Sequence, residues 1–174
     1  DLVSLSFHPV KAITTGEGGA ILTNFLSYAK MAKKLRSHGI EHEKNKYWQY
    51  KVKELGYNFR LPDFNCALGI SQFKKLSKFI KKRREIARFY DELFQDKTKF
   101  INPGYIESNK NSYHLYPLLV NFKKIKKSKF QVIKEFLKNK IKLQVHYIPV
   151  NSQPYYKKKY GLRKNNFKNS FEFF

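Results

Sequence analysis

Acidic residues are scarce in this chain of 174 residues: 13 Asp and Glu stand against 36 Lys and Arg, for a net charge of +23. Cysteine, methionine and tryptophan occur once each. The lone Cys66 excludes an internal disulfide and a cysteine-only metal site, and it suits a reducing compartment. The 5 histidines are scattered without ligand spacing, so no metal is expected. No apolar run approaches the roughly 20 residues that a membrane-spanning helix needs. No secretory signal pattern opens the residues in hand. These absences lead to the expectation of a cytoplasmic protein without a membrane partner.

Apolar residues, at 41%, and aromatic residues, at 17%, are too abundant for a disordered chain and suffice for a core. The positive charge is nearly all lysine, 30 against 6 arginines, and accompanies 13 asparagines. That bias reads as the output of an AT-rich genome, which loads lysine onto any solvated surface. Residues 97–174 hold 18 Lys/Arg and 3 Asp/Glu, a net of +15. No nucleic-acid partner is expected, and a basic nucleic-acid-binding domain working through its Lys, Tyr and Phe surface is the rival of a different class.

Leu2 to Phe7 is short and apolar and predicts a buried strand; Gly19 to Asn24 predicts a second. Phe25, Tyr28, Ala29, Ala32 and Leu35 recur at helical spacing up to Gly39. Residues 40–58 are polar and aromatic without clear period, an excursion over the surface or onto a partner. Pro62 and Asp63 suit a helix start, proline in the first turn and an acid at the positive end. The apolar stripe that follows predicts one long amphipathic helix or two in tandem. Beyond it come a turn at Asn102-Pro103-Gly104, a strand over 113–122 with Pro117 at an edge, and a helix over 126–139. A strand over 142–148 and a short helix after Pro154 complete the pattern. The order predicts an α/β piece over 1–60, a connecting helix or helices over 61–96, and a small α+β domain over 97–174. Asp1 is no initiator, and Asn-Ser-Phe-Glu-Phe-Phe stops inside an apolar pattern. The expectation is a fragment cut at both ends.

The stretch SFHPVKAITTGEGGAILTN, residues 6–24, sets one lysine apart from the solvated runs. Lys11 follows the apolar strand and precedes Thr14, Thr15, Gly16, Gly18 and Gly19. An amine at a strand end, near hydroxyls and exposed backbone N–H groups, suggests imine and phosphate chemistry. The glycines lack the GxGxxG spacing and precede a strand, which argues against a dinucleotide loop. They permit close backbone approach instead.

These residues resemble the lysine segment of the DegT/DnrJ/EryC1 sugar aminotransferases, pyridoxal 5'-phosphate (PLP) enzymes of the aspartate aminotransferase fold. The resemblance continues through Arg36-Ser-His-Gly39, Leu55-Gly-Tyr-Asn-Phe-Arg60 and Ala67-Leu-Gly-Ile-Ser-Gln-Phe73. It resumes at Tyr113-His-Leu-Tyr116 and at His146-Tyr-Ile-Pro-Val-Asn-Ser-Gln-Pro-Tyr-Tyr156. Within the family it is greatest to the branch that aminates UDP-linked 4-keto-6-deoxy-N-acetyl sugars toward pseudaminic acid; a dTDP-linked hexose is the alternative substrate. The resemblance implies an α/β fold of the type I PLP transferases, present in part: the end of the large domain, then most of the small one. It implies a homodimer with shared sites and an amino donor such as L-glutamate.

The same resemblance implies that Lys11 forms the imine with the cofactor aldehyde and later carries the proton between the donor's α-carbon and the cofactor. Ser6 would contact the cofactor phosphate, and Asn58 would reach across the dimer to the neighbour's phosphate. Arg60 would hold its loop or meet the substrate's phosphates, and His8 would pack near the cofactor. His146 and Tyr147 would line the sugar site. Asn151 departs from the family pattern, where many relatives carry histidine. The acid that pairs the pyridinium nitrogen lies upstream of the lysine in this family, beyond residues 1–174. A fragment without it is expected to be inactive.

Overall fold

The computed structural model describes residues 1–43, 45–97, 99–103 and 111–174. They form two compact units, Asp1–Val120 and Asn121–Phe174.

In the first unit β1 (Val3–Ser6) and β2 (Gly19–Leu22) pair antiparallel, from Val3 opposite Leu22 to Ser6 opposite Gly19. Both expected strands are present, but their side chains are not buried: Val3, Leu5, Ile21 and Leu22 are exposed. A two-stranded ribbon cannot cover its own faces, and no third strand joins it among the described residues. Helix α1 (Leu26–Arg36) follows, with Lys33, Lys34 and Arg36 in its last turn, where cations face the negative helix end. His38 and Gly39 adopt φ of +63° and +69° and stop the helix.

The stretch 40–58, read as an excursion without clear period, contains regular structure. Strands β3 (Ile40–Glu43) and β4 (Lys46–Val52) pair antiparallel, with a bulge between His42 and Glu43. Asn45, at φ +65°, supplies the left-handed turn residue. Alternation decides the two faces. Glu41 pairs with Lys53 at 2.7 Å and Glu43 with Lys51 at 2.6 Å. Trp48, Tyr50 and Val52 alternate with those charges, and Tyr50 lies opposite His42. Chiefly by its hydrogen bond and also by its charge, Lys53 holds the Glu41 carboxyl below its usual value, and Glu41 holds the Lys53 ammonium above its own.

The long apolar stripe resolves into two tandem helices, α2 (Asp63–Phe73) and α3 (Leu76–Phe94), separated at Lys74 and Lys75. Pro62 occupies the cap and Asp63 the first turn of α2, as the sequence predicts. The best-packed point of the unit lies under α3. There Ala87, only 2% exposed, adjoins a cavity of about 130 Å³ lined also by Arg83, Ile86, Tyr90, Tyr113 and Tyr116. The Arg83 guanidinium donates to the Tyr113 carbonyl at 3.2 Å, Arg84 donates to the Asn111 carbonyl at 2.9 Å, and the Tyr116 hydroxyl bonds Asp91 at 2.7 Å. Residues Asn102 and Pro103, expected in a turn with Gly104, belong instead to β5 (Ile101–Pro103); Gly104 lies outside the described residues. Strand β6 (Leu118–Val120) pairs with β5 and is shorter than the expected 113–122, because Tyr113 takes φ +46° and the strand begins only after Pro117.

In the second unit α4 (Lys129–Lys138) opens on a reciprocal cap. The Gln131 N–H donates to Ser128 Oγ at 3.2 Å, and the Ser128 N–H donates to the Gln131 side chain at 2.7 Å. Helix α5 (Pro154–Tyr160) follows Gln153 with proline in its first turn and ends on Gly161 at φ +61°. A last helix, α6 (Lys168–Phe173), was not foreseen. Residues 142–148 are not a strand. Their apolar alternation meets no pairing strand among the described residues, and a strand without a ladder leaves its backbone groups to water.

Candidate active site

The strand–lysine–glycine segment closes on itself. After β1 the chain makes a turn in which the Lys11 N–H donates to the His8 carbonyl at 2.9 Å. The Phe7 carbonyl then accepts from the Thr15 N–H at 3.1 Å and the Thr14 hydroxyl at 2.8 Å, while the Phe7 N–H donates to the Gly18 carbonyl at 2.9 Å. Lys11 therefore rides on a loop tied at its base by three bonds to one residue, Phe7. Its side chain is half-buried. Among the described residues no hydrogen bond or ion pair engages its Nζ.

Ser6 and His8 belong to the same turn. Ser6 Oγ accepts from the His8 N–H at 3.4 Å, and His8 Nδ1 accepts from the Val10 N–H at 3.4 Å. His8 Nε2 lies 3.7 Å from Glu17. An accepting bond fixes the Ser6 oxygen while leaving its own O–H free to donate. Ser6, His8 and Lys11 are thus one local constellation: a hydroxyl donor, a ring and an unengaged amine.

Sequence reading missed what holds this loop in place. Thr15 is 3% exposed, and its hydroxyl donates to the Glu17 carbonyl at 2.7 Å. The Asn65 side chain, on the first turns of α2, donates to the Thr15 carbonyl. A Cβ on Gly69 would meet Thr15 Cγ2 at 2.8 Å, and one on Gly18 would meet Thr15 Oγ1 at 2.5 Å. Asn65 and Gly69 are four apart and share a helix face. That spacing of an amide and a glycine was the available signal, but its partner lies fifty residues earlier.

Asn58 and Arg60 sit on a second clamp, against the end of α1. The His38 N–H donates to the Tyr57 carbonyl, the Tyr57 N–H to Leu35, and the Phe59 N–H to Arg36, each at 2.9 Å. Ser37 and Asn58 form an isolated antiparallel bridge. The approach is close enough that a Cβ on Gly56 would stand 2.2 Å from the Gly39 nitrogen. This fixes the Asn58 backbone and leaves its side chain, and that of Arg60, exposed. No hydrogen bond or ion pair joins them to the Lys11 loop among the described residues.

His146 and Tyr147 belong to the second unit. Both are exposed, their rings 4.2 Å apart edge to face, and His146 Nε2 lies 3.2 Å from the Gln144 side-chain oxygen. The neighbouring Asn151 bonds Ser170 at 3.4 Å through its oxygen. The structure thus gathers Ser6, His8 and Lys11 in one turn; Asn58 and Arg60 lie on the segment clamped to α1, and His146 adjoins Tyr147 within the second unit.

The model of the DegT/DnrJ/EryC1/StrS aminotransferase family matches residues 1–174. The chain belongs to that family. Among its relatives is the UDP-4-amino-4,6-dideoxy-N-acetyl-beta-L-altrosamine transaminase of Campylobacter jejuni, 44% identical over 161 residues, with 92% of this chain and 42% of that protein aligned. Helicobacter pylori PseC, an aminotransferase of pseudaminic acid biosynthesis, superposes with a TM-score of 0.85 at 36% identity, covering 93% of this chain and 43% of the other. A Streptococcus pneumoniae protein assigned to the sugar aminotransferases superposes in its PMP form with a TM-score of 0.88 at 26% identity, covering 100% of this chain and 46% of the other. Its PLP form has also been solved, at a TM-score of 0.83. This member of the DegT/DnrJ/EryC1/StrS family spans less than half the length of those relatives, and within that span it carries part of the fold of PLP-dependent sugar aminotransferases.

Proposed function

We propose that this chain is the lysine-bearing part of a PLP-dependent aminotransferase that delivers an amino group to the 4-keto carbon of a nucleotide-linked 4-keto-6-deoxy sugar. The observation that carries this reading is the Lys11 amine, held on a tied loop beside Ser6 and engaged by no other group among the described residues. The 44% identity to a UDP-altrosamine transaminase favours a UDP-linked N-acetyl sugar. L-Glutamate is the proposed donor, a homodimer the proposed assembly, and the cytoplasm the proposed site of action. In the complete fold, residues 1–60 would close the large domain, 61–96 would connect, and 97–174 would belong to the small one.

The local groups fit the cofactor. PLP, when bound, supplies an aldehyde that captures amines and a ring that withdraws electrons. Lys11 Nζ would be the amine that holds the group, and its free amine would serve as the base for the proton at the donor's α-carbon. Ser6 donates its free O–H to the phosphate. The glycines at 16, 18 and 19 keep side chains out of the way, so backbone can approach closely. Asn58, on its clamped and exposed segment, serves the phosphate of the neighbouring protomer's site. Arg60 meets the diphosphate of the sugar nucleotide, and His146 with Tyr147 contacts the sugar.

Borohydride reduction of the full-length protein with PLP, followed by peptide mapping, tests the assignment. The pyridoxyl group is expected on Lys11. Label on another lysine of active protein would overturn it, and failure to aminate any nucleotide-linked keto sugar would overturn the substrate class.

A further inference from the structure

We infer that the basic surface of residues 121–174 attracts the anionic diphosphate of a nucleotide-sugar substrate to the unit that bears His146 and Tyr147; this rests on the function proposed above and adds to it a source of substrate capture. The unit holds 15 Lys and Arg against 2 Asp and Glu, a net of +13. Both acids are already paired, Glu135 with Lys127 at 2.8 Å and Glu172 with Lys168 at 3.6 Å. Among the described side chains, the other cations of this unit form no ion pair with an acid of their own unit.

Several of them are also exposed to solvent. Lys157, Lys158 and Lys159 are consecutive on α5 and exposed, as are Lys123 and Lys124 before α4. Lys159 rests on aromatic and hydroxyl neighbours, 3.1 Å from the Tyr155 hydroxyl and 5.4 Å from that ring's centre. Such contacts orient an ammonium without cancelling its charge. The unit that bears this charge also bears His146 and Tyr147, the proposed sugar-contacting pair. A concentrated field of one sign raises the encounter rate of an opposite charge by about 10- to 1,000-fold at low salt, and it is screened over a Debye length of about 10 Å at 0.1 M. A nucleotide sugar carries two phosphate charges wherever it travels, so it responds to this field before any hydrogen bond forms.

The experiment measures kcat and kcat/KM of the full-length enzyme for a UDP-linked keto sugar between ~20 and ~300 mM salt. The expected result is a fall of roughly tenfold in kcat/KM with kcat nearly constant. The triple variant K157Q/K158Q/K159Q and the separate K123Q/K124Q should each keep kcat and flatten the salt dependence. A kcat/KM indifferent to salt, or both variants retaining the parent slope, overturns the inference while leaving the aminotransferase reading intact. Absence of amination at any salt rejects that reading instead. Tight oligonucleotide binding that survives ~300 mM salt and blocks the UDP-sugar would assign the surface to a nucleic acid and overturn the inference as well.

Discussion

Replacing Gly39 with alanine should loosen the segment that carries Asn58, and the size of the effect follows from two separate terms. Gly39 sits at φ +69°, where an L side chain costs about 1–2 kcal/mol. Its missing Cβ would also stand 1.9 Å from the Glu54 carbonyl oxygen, which is backbone and cannot rotate away. Making room by displacing packed backbone costs about 1–3 kcal/mol more. Together that is roughly 2–5 kcal/mol, a large share of the 5–15 kcal/mol that stabilises an ordinary domain. The loss is directed: the Tyr57 and Phe59 N–H groups bond the Leu35 and Arg36 carbonyls across this contact. In the full-length protein, amide exchange at Tyr57 and Phe59 should accelerate in Gly39→Ala, with a lower denaturation midpoint and weaker PLP retention. Parent-like exchange at both amides, with an unchanged midpoint, would refute the claim that this glycine sets the Asn58 clamp.

Gly69→Ala should by itself gain about 1 kcal/mol of helix propensity and lose about 1–3 kcal/mol against the Thr15 methyl; adding Thr15→Ser removes that methyl, so a double-mutant cycle by chemical denaturation should show the two changes rescuing one another. Ser128→Ala should cost α4 about 1 kcal/mol by deleting its reciprocal cap, measurable as a lower midpoint, while Ser128→Asp should retain most of it. Glu41 has its pKa lowered, so its contribution to the β3–β4 hairpin is present above the unfolded value near 4.5 and lost as pH falls through the folded value. Lys53 has its pKa raised, so its contribution is present below 10.5 and lost as pH rises through the folded value. Both groups are solvent-exposed, so the Lys53 side-chain methylene shift should follow a weak, salt-sensitive titration at each limit, and Glu41→Gln should remove most of the acid one.

The local turn around Lys11 was legible because its determinants are neighbours in sequence. Ser6, His8 and Lys11 lie within six residues, and one turn brings them together. The helix start at Pro62-Asp63 and the helix after Pro154 were legible for a similar reason, since proline restricts its own backbone whatever surrounds it. The β3–β4 hairpin was not, although its alternation of Glu and Lys with aromatics is present in the sequence. Its ion pairs and its aromatic face record pairing between segments, which apolar periodicity alone does not detect. The opposite error fell on 142–148, where alternation of Ile141, Leu143 and Val145 promised a strand and no ladder partner met it. Apolar pattern gives the face a segment would bury, not the layer that covers it; exposed Val3 and Leu5 in β1 make the same point. Thr15 was illegible as an anchor because its partners, Asn65 and Gly69, lie on a helix that only tertiary packing brings to it.

The bond from Asn65 to the Thr15 carbonyl also sets a schedule for the newborn chain. Lys11 leaves the peptidyl-transferase centre more than fifty residues before Asn65 does, a delay of roughly 3–10 s at 5–20 residues per second. Until α2 is made and folds back, the loop bearing that lysine has its local turn but no anchor. Its amine is then one among the eight lysines of residues 1–64. Loop closure over such a length costs only slowly more entropy than over half of it, so the delay is one of synthesis rather than of search. On the function proposed above, attachment of a cofactor at this lysine waits at least until α2 has emerged, and capture of aldehydes by a shorter nascent chain gains nothing from the fold.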